Sequence, residues 1–209
     1  MSSRSSRTGL LVLCLWTAGC LGGGNVPRTH HYVLQPPPPP ARTETGGLRV
    51  GVATLEVDPP YDQDRLVYRP AGGGSEIGYY NYHRWAVPLG RLMASSLAGA
   101  LAGAQGVASA EPLVGGVDYD AVLFGRVIQV EEVELGDRSE ARVTLALTLE
   151  DGGGEILWRG SLEGSAEGRV LDGGDAMELI QLAFGEVVGQ LRRTLGAALS
   201  ASASGPAGR

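Results

Sequence analysis

The sequence predicts a single α+β domain in which a sheet of about six mainly antiparallel strands carries two amphipathic helices on one face. Three observations lead there. Apolar residues recur at three- and four-residue spacing in two stretches, 86–104 and 175–199, as a helix with one buried stripe requires. The other apolar runs are short, alternate with polar residues or are bounded by Gly and Pro, as strands are. The 209 residues, once an export signal and a linker are set aside, suffice for one core.

Residues 1–19 read as a signal peptide. Arg4 and Arg7 give a positive start, residues 10–16 an apolar run, and Thr17, Ala18 and Gly19 the small residues ahead of Cys20. The apolar run is too short to cross a bilayer, which takes roughly 20 residues. A cysteine directly after the small residues resembles the bacterial lipobox, which implies cleavage before Cys20 and acylation of its thiol and new amino terminus. Each buried CH2 contributes about 0.8 kcal/mol and stable anchoring needs more than one chain, which a triacylated Cys20 supplies. Leu21 rather than Asp in the next position implies, by resemblance to Gram-negative lipoproteins, sorting to the outer membrane with the domain in the periplasm. Cys14 leaves with the signal, so the mature chain forms no disulfide and relies on core packing. Residues 20–47 form the lipidated N-terminus and a Pro/Gly-rich tether. In it, residues 36–40 are expected to be a stiff polyproline II spacer of about 3.1 Å per residue, and Tyr32, Val33 and Leu34 a short strand.

The domain proper, residues 48–199, opens with a largely buried strand over 48–57. Asp58, Pro59 and Pro60 end it, because proline cannot donate to a ladder. A polar connection over 61–65 leads to a short strand at 66–69, and residues 77–82 return as its hairpin partner. The first helix spans 86–104 with Leu89, Leu92, Met93, Leu97 and Leu101 inward. Pro88 lies in its first turn, where a missing amide costs nothing, and Ala, Ser and Gly on the remaining face suit close packing. Residues 107–109 add a short strand. Three consecutive antiparallel strands follow at 119–135, 142–150 and 156–162, the last two joined by the glycine-rich turn after Asp151. The second helix, 175–199, takes Asp175 as cap with Glu178 completing a capping box. Its stripe is Ile180, Phe184, Val187, Val188, Leu191 and Leu195, and Arg192 and Arg193 suit its negative end. Residues 200–209 are expected to be a disordered tail.

Charge and motif spacing narrow the function. The formal charge of −6 is scattered, and the 17 cations, all arginine, form no basic stripe that would neutralise phosphates, so nucleic acid is not an expected partner. Glycine triplets have no Gly-Lys-Ser/Thr after them and make no phosphate loop. His83 has no Ser, Cys or second ligand at a motif spacing and reads as structural or exposed. The acid pairs Asp62/Asp64 and Glu131/Glu132 lie in a turn and at a strand end, where carboxylates are usually solvated. No Ser-His-Asp order or Cys/His metal spacing accompanies them. Neither catalytic residues, metal ligands nor a cofactor site are therefore expected, and the chain reads as a binding or assembly component rather than an enzyme.

The order of short motifs is similar to that of a known family. A lipobox is followed by the Tyr-Val-Leu strand and the run 48–57. After these come Asp-Pro-Pro-Tyr over 58–61, Arg65-Leu66-Val67-Tyr68-Arg69, and Tyr82-His83-Arg84-Trp85-Ala86. This resembles the ABC-type transport auxiliary lipoproteins, which include the lipoprotein of the paraquat-inducible intermembrane transport system. In that family an Arg-Leu-Val-Tyr-Arg segment, here with Arg65, Tyr68 and Arg69, precedes a Trp-Ala pair, here Trp85 and Ala86, that opens the first helix. The resemblance implies an outer-membrane-anchored subunit of a lipid or hydrophobic-solute transporter. Its partners would be an MCE-domain protein and an inner-membrane permease, and self-association into a ring is a further implication. Tyr79, Tyr80 and Tyr82 are the candidate partner contacts, because tyrosine combines large area with a polar handle; Trp85 reads as a wedge holding helix to sheet. A structural lipoprotein of an envelope secretion or polysaccharide-export assembly is the alternative.

Overall fold

The computed structural model describes residues 27–36, 38 and 46–204. Their elements are β1 (His30–Tyr32), β2 (Leu48–Val52), β3 (Glu56–Val57), β4 (Arg65–Arg69), β5 (Gly78–Trp85), α1 (Leu89–Leu101), β6 (Val107–Pro112), β7 (Ala121–Glu134), β8 (Ser139–Asp151), β9 (Ile156–Gly168) and α2 (Gly173–Ser204). The expected signal peptide, Cys20 and most of the expected tether lie outside these residues.

The long strand β7 is the axis of the sheet. Along one edge it pairs with β8, which pairs with β9, all antiparallel. Its other edge receives three short strands in succession, β2 at Ala121–Leu123, β3 at Arg126 and Val127, and β4 at Glu132 and Val133, all parallel. Beyond them β6 adds in parallel to β2, β5 antiparallel to β4, and β1 in parallel to β5. The expected α+β domain with two helices is present, but the sheet has nine strands and is mixed rather than about six and mainly antiparallel. Two-residue periodicity marks which side chains face the core, and parallel and antiparallel strands share it. Direction is set by the crossovers, which the alternation does not encode.

The strand expected over 48–57 is broken into β2 and β3 because α1 presses against the break. A Cβ on Gly90 would come within 2.1 Å of the Leu55 carbonyl oxygen, and the Leu55 amide donates to the Gly90 carbonyl at 3.3 Å. Gly164 in β9 likewise lets α2 approach, since a Cβ there would meet the Ala183 carbonyl oxygen at 2.1 Å. α1 packs on β2, β3 and β6, α2 on β9, β8, β7 and β5, and the apolar faces of both helices join one core that includes Met93, Leu97, Leu145, Leu147, Phe184 and Leu191.

Two boundaries shift for local reasons. Pro88 is the residue preceding α1, not part of its first turn, and its carbonyl accepts from the amides of Arg91 and Leu92. The cap of α2 is Asp172, three residues earlier than expected. Asp172 Oδ1 accepts from the amides of Gly174 and Asp175, and Asp175 reaches back to the Leu171 amide. The helix also continues past Leu199 to Ser204.

The residues leading into the Pro-rich run, and its described members Pro36 and Pro38, pack on the domain rather than standing free. Leu34 is buried, and its carbonyl accepts from the Ser96 hydroxyl at 3.0 Å. The amide and carbonyl of Gln35 both bond the side chain of Gln181, at 2.9 and 2.5 Å. Pro36 lies over Gly99, and the Pro38 carbonyl accepts from Arg192 at 3.1 Å. The small-residue face of α1 is thus where this chain is laid, between α1 and α2.

Candidate functional site

The tyrosine-rich β5 and the motif residues around it converge at one end of the sheet. There the β4–β5 hairpin, the β7–β8 turn and the β9–α2 connection surround a cleft of about 590 Å3, lined among others by Tyr68, Tyr79, Tyr80, Glu132, Arg138 and Arg169. Consecutive residues of a strand face opposite sides, so Glu131 and Glu132 point away from each other, and only Glu132 lines the cleft.

Both acids are fully buried, which corrects their reading as solvated strand-end carboxylates. Each is held by a tyrosine hydroxyl from a distant segment. Tyr80 donates to Glu132 Oε2. Tyr61 donates to Glu131 Oε2 at 2.7 Å, and Arg69 Nε and Gln129 Nε2 donate to Glu131 Oε1 at 2.6 and 2.8 Å. The Asp-Pro-Pro-Tyr and Arg-Leu-Val-Tyr-Arg segments therefore meet on one carboxylate. Burial first, and the bond to Glu131 second, push Tyr61 up to about 12; the same two causes, with Glu132 as the acid, raise Tyr80 well above the ordinary range. Both phenols stay neutral donors. The adjacent pair of acids was the only sequence signal for this network, because the partners lie 70 and 52 positions away.

The three candidate contact tyrosines differ. Tyr79 is half-buried with the Arg65 guanidinium over its ring, 4.7 Å from the centroid. Tyr80 is half-buried against Tyr68, centroids 5.0 Å apart. Tyr82 is 40% exposed. Tyr68 also covers Gly78, where any Cβ would strike its ring. Trp85 is in the core at 5% exposure, its amide donating to the Asp64 carbonyl at 2.7 Å, and Ala86 donates to the Tyr32 carbonyl at 2.8 Å.

His83 joins a second cluster beside the start of α2. Its Nδ1 is 2.8 Å from the Tyr32 hydroxyl, its ring stacks on His30 with centroids 5.2 Å apart and meets the edge of Tyr80, and Gly173 lies against it. Burial, with a smaller contribution from His30, holds its pKa below the ordinary 6.5, while Asp172 opposes the shift. The unfolded chain then binds more protons than the folded one at acid pH, so stability rises with pH. This contribution is complete above about 6.5, the unfolded value, and is lost as pH falls below it. Urea midpoints measured from neutral to mildly acid pH should fall less steeply for His83→Gln than for the wild type. Parallel curves would show that His83 does not titrate between the two states.

Among the described residues, no group of three or more His, Cys, Asp or Glu is placed to hold a metal ion, and no helix is long and apolar enough to cross a membrane. The cleft presents aromatic faces, a buried carboxylate and two guanidinium groups, which suit recognition by contact.

A family model described as ABC-type transport auxiliary lipoprotein component matches residues 32–169, from β1 to the end of β9. The match takes in β2 to β9 and α1, begins at the last residue of β1, and leaves out α2. A solved structure of a DUF330 protein from Xanthomonas campestris superposes with a TM-score of 0.68 at 18% identity, covering 84% of this chain and 100% of that one. A second, of an uncharacterized protein, gives 0.55 at 18% identity, covering 80% and 98%. At that identity the likeness is one of fold. No curated protein matches the chain.

Proposed function

Because the chain belongs to the family of ABC-type transport auxiliary lipoprotein components, we propose that it is a non-catalytic, outer-membrane-anchored periplasmic subunit of an ABC/MCE-type system that moves a lipid or another hydrophobic solute. Cys20 carries the lipid. The domain docks an MCE-domain protein, which links it to the inner-membrane permease, and copies of the chain associate in a ring around that partner.

The observation that carries this reading is the convergence of the family's motif residues on structure rather than on chemistry. Arg69 holds Glu131, Arg65 covers Tyr79, Tyr68 supports Tyr80, and Trp85 fills the core. What these residues build is a firm corner whose outward element is Tyr82 and the cleft beside it. In this reading Tyr82 makes the direct partner contact and Tyr79 and Tyr80 shape the surface around it.

The test is co-purification from detergent-solubilised envelope of a Gram-negative host. With Cys20 intact, the chain should sediment with membranes and bring down an MCE-domain protein. Cys20→Ser should appear in the soluble periplasmic fraction. Tyr82→Ala should weaken capture while leaving stability within about 0.5 kcal/mol of wild type, as exposed substitutions do. A membrane-bound chain that captures no MCE-domain protein defeats the transport reading, and capture of a secretion or polysaccharide-export component would replace it.

A further inference from the structure

We propose that the cleft takes one lysine side chain of the partner protein, its ammonium group meeting the Glu132 carboxylate beside the rings of Tyr68 and Tyr80. This deepens the reading of the cleft as a partner contact and rests on it.

The half-used carboxylate of Glu132 carries the argument. Its neighbour Glu131 accepts from three side chains, those of Tyr61, Arg69 and Gln129. Glu132 is as deeply buried, at 1% exposure, yet among the described residues it accepts one hydrogen bond, from Tyr80 to Oε2, and joins no ion pair. A carboxylate offers about four acceptor positions, and leaving one in a protein interior without a cation is costly. Among the described residues no fully enclosed side-chain oxygen is without a partner, so Oε1, which has none, is open to solvent, and the cleft that Glu132 lines is its opening. The walls suit a cation. Tyr68 is the partner of Glu132 across β4 and β7, and the ring of Tyr80 lies 5.0 Å from that of Tyr68, tilted by 52°. Aromatic faces attract a cation that has shed its water.

Lysine fits better than arginine. With Oε2 held by Tyr80, one oxygen remains, which a compact ammonium can use, whereas a guanidinium fork is matched to both. The apolar stem of a lysine can lie along the tyrosine rings while its charge reaches the floor. The chain has no lysine of its own, all 17 cations being arginine, so the ammonium comes from a different protein and not from a second copy. Charge around the mouth agrees. Glu76, Asp137, Glu167 and Asp172 are exposed on the connections that surround the cleft, against Arg138 and Arg169 at its rim. Arg138 is exposed, with Glu167 3.8 Å away, so it acts through water, where charges interact weakly, while Glu132 acts where water is largely excluded. The rim arginines favour acidic residues on either side of the incoming lysine.

The probe is n-butylammonium, a lysine side chain without its backbone, titrated into the mature full chain in detergent and followed by the amide signals of Tyr80, Arg138 and Val170. Saturable shifts are expected, absent with n-butanol and weaker with n-butylguanidinium. Glu132→Gln keeps the size and the acceptor for Tyr80 but drops the charge. It should weaken butylammonium binding at least about tenfold, and capture of the MCE-domain protein about thirtyfold or more, as loss of one member of a desolvated pair does. Arg138→Glu, at an exposed position that leaves the fold intact, should tighten butylammonium binding. Equal binding by wild type and Glu132→Gln, no change in Arg138→Glu, or no binding together with undiminished capture by Glu132→Gln overturns the proposal and leaves the transport reading standing. Glycerophosphoethanolamine that binds more tightly than butylammonium would give the cleft to a lipid headgroup and overturn it too. Glu132-dependent binding of butylammonium by a chain that captures no MCE-domain protein supports the lysine site and removes that partner.

Discussion

Trp85→Ala is expected to lower stability by about 3–5 kcal/mol, the range for deleting a large aromatic side chain from a core. The side chain is 5% exposed at the corner where β5 turns into α1, and the amides on either side of that corner are fixed, Trp85 to Asp64 and Ala86 to Tyr32. Neighbours anchored in this way cannot collapse into the space, so the full cost of the cavity is felt. Domains are stable by about 5–15 kcal/mol in total, so the variant should unfold at a much lower urea concentration, with its m value unchanged. Trp85→Phe keeps most of the volume and should recover much of the loss. A Trp85→Ala midpoint within error of wild type would mean that the corner is not part of the cooperative core.

The second large effect is expected at Glu131. Truncation to alanine removes the acceptor shared by Tyr61, Arg69 and Gln129 and leaves a guanidinium without its partner in a mostly buried site. Breaking a buried pair from one side costs about 3–5 kcal/mol, and because Arg69 is partly exposed the lower figure, about 3 kcal/mol, is expected. Replacing both members by apolar residues of similar volume, Glu131→Leu with Arg69→Met, should cost less than Glu131→Ala alone, since no charge is left stranded. Urea midpoints for Glu131→Ala, Glu131→Leu, Arg69→Met and the double variant decide this. Additive losses would show that Glu131 and Arg69 act independently and that the two family segments are not joined through the carboxylate.

Legibility followed the range of the interactions involved. The stripe from Ile180 to Leu195 and the alternation Val143, Leu145, Leu147, Leu149 are written within a few residues of themselves. The helix and the antiparallel β7–β8–β9 unit were accordingly foreseeable, and Trp85 took the buried place its size and setting suggested. Parallel pairing of β1 through β4 was not, because each of these strands finds its neighbour through a crossover that leaves no mark on its own side chains. Glu131 and Glu132 looked like an ordinary solvated pair for a related reason: the tyrosines that bury them lie in other segments.

Composition and local spacing by themselves mark out a Pro-rich stretch, two amphipathic helices and a run of strands, and lead to the expectation of an export signal over residues 1–19 ahead of Cys20, since each is a property of adjacent residues. Tertiary structure alone decided that Leu34, Gln35 and Pro38 lie against α1 and α2, held by Ser96, Gln181 and Arg192. A segment with little to bury of its own docks only where other parts of the chain build a surface for it.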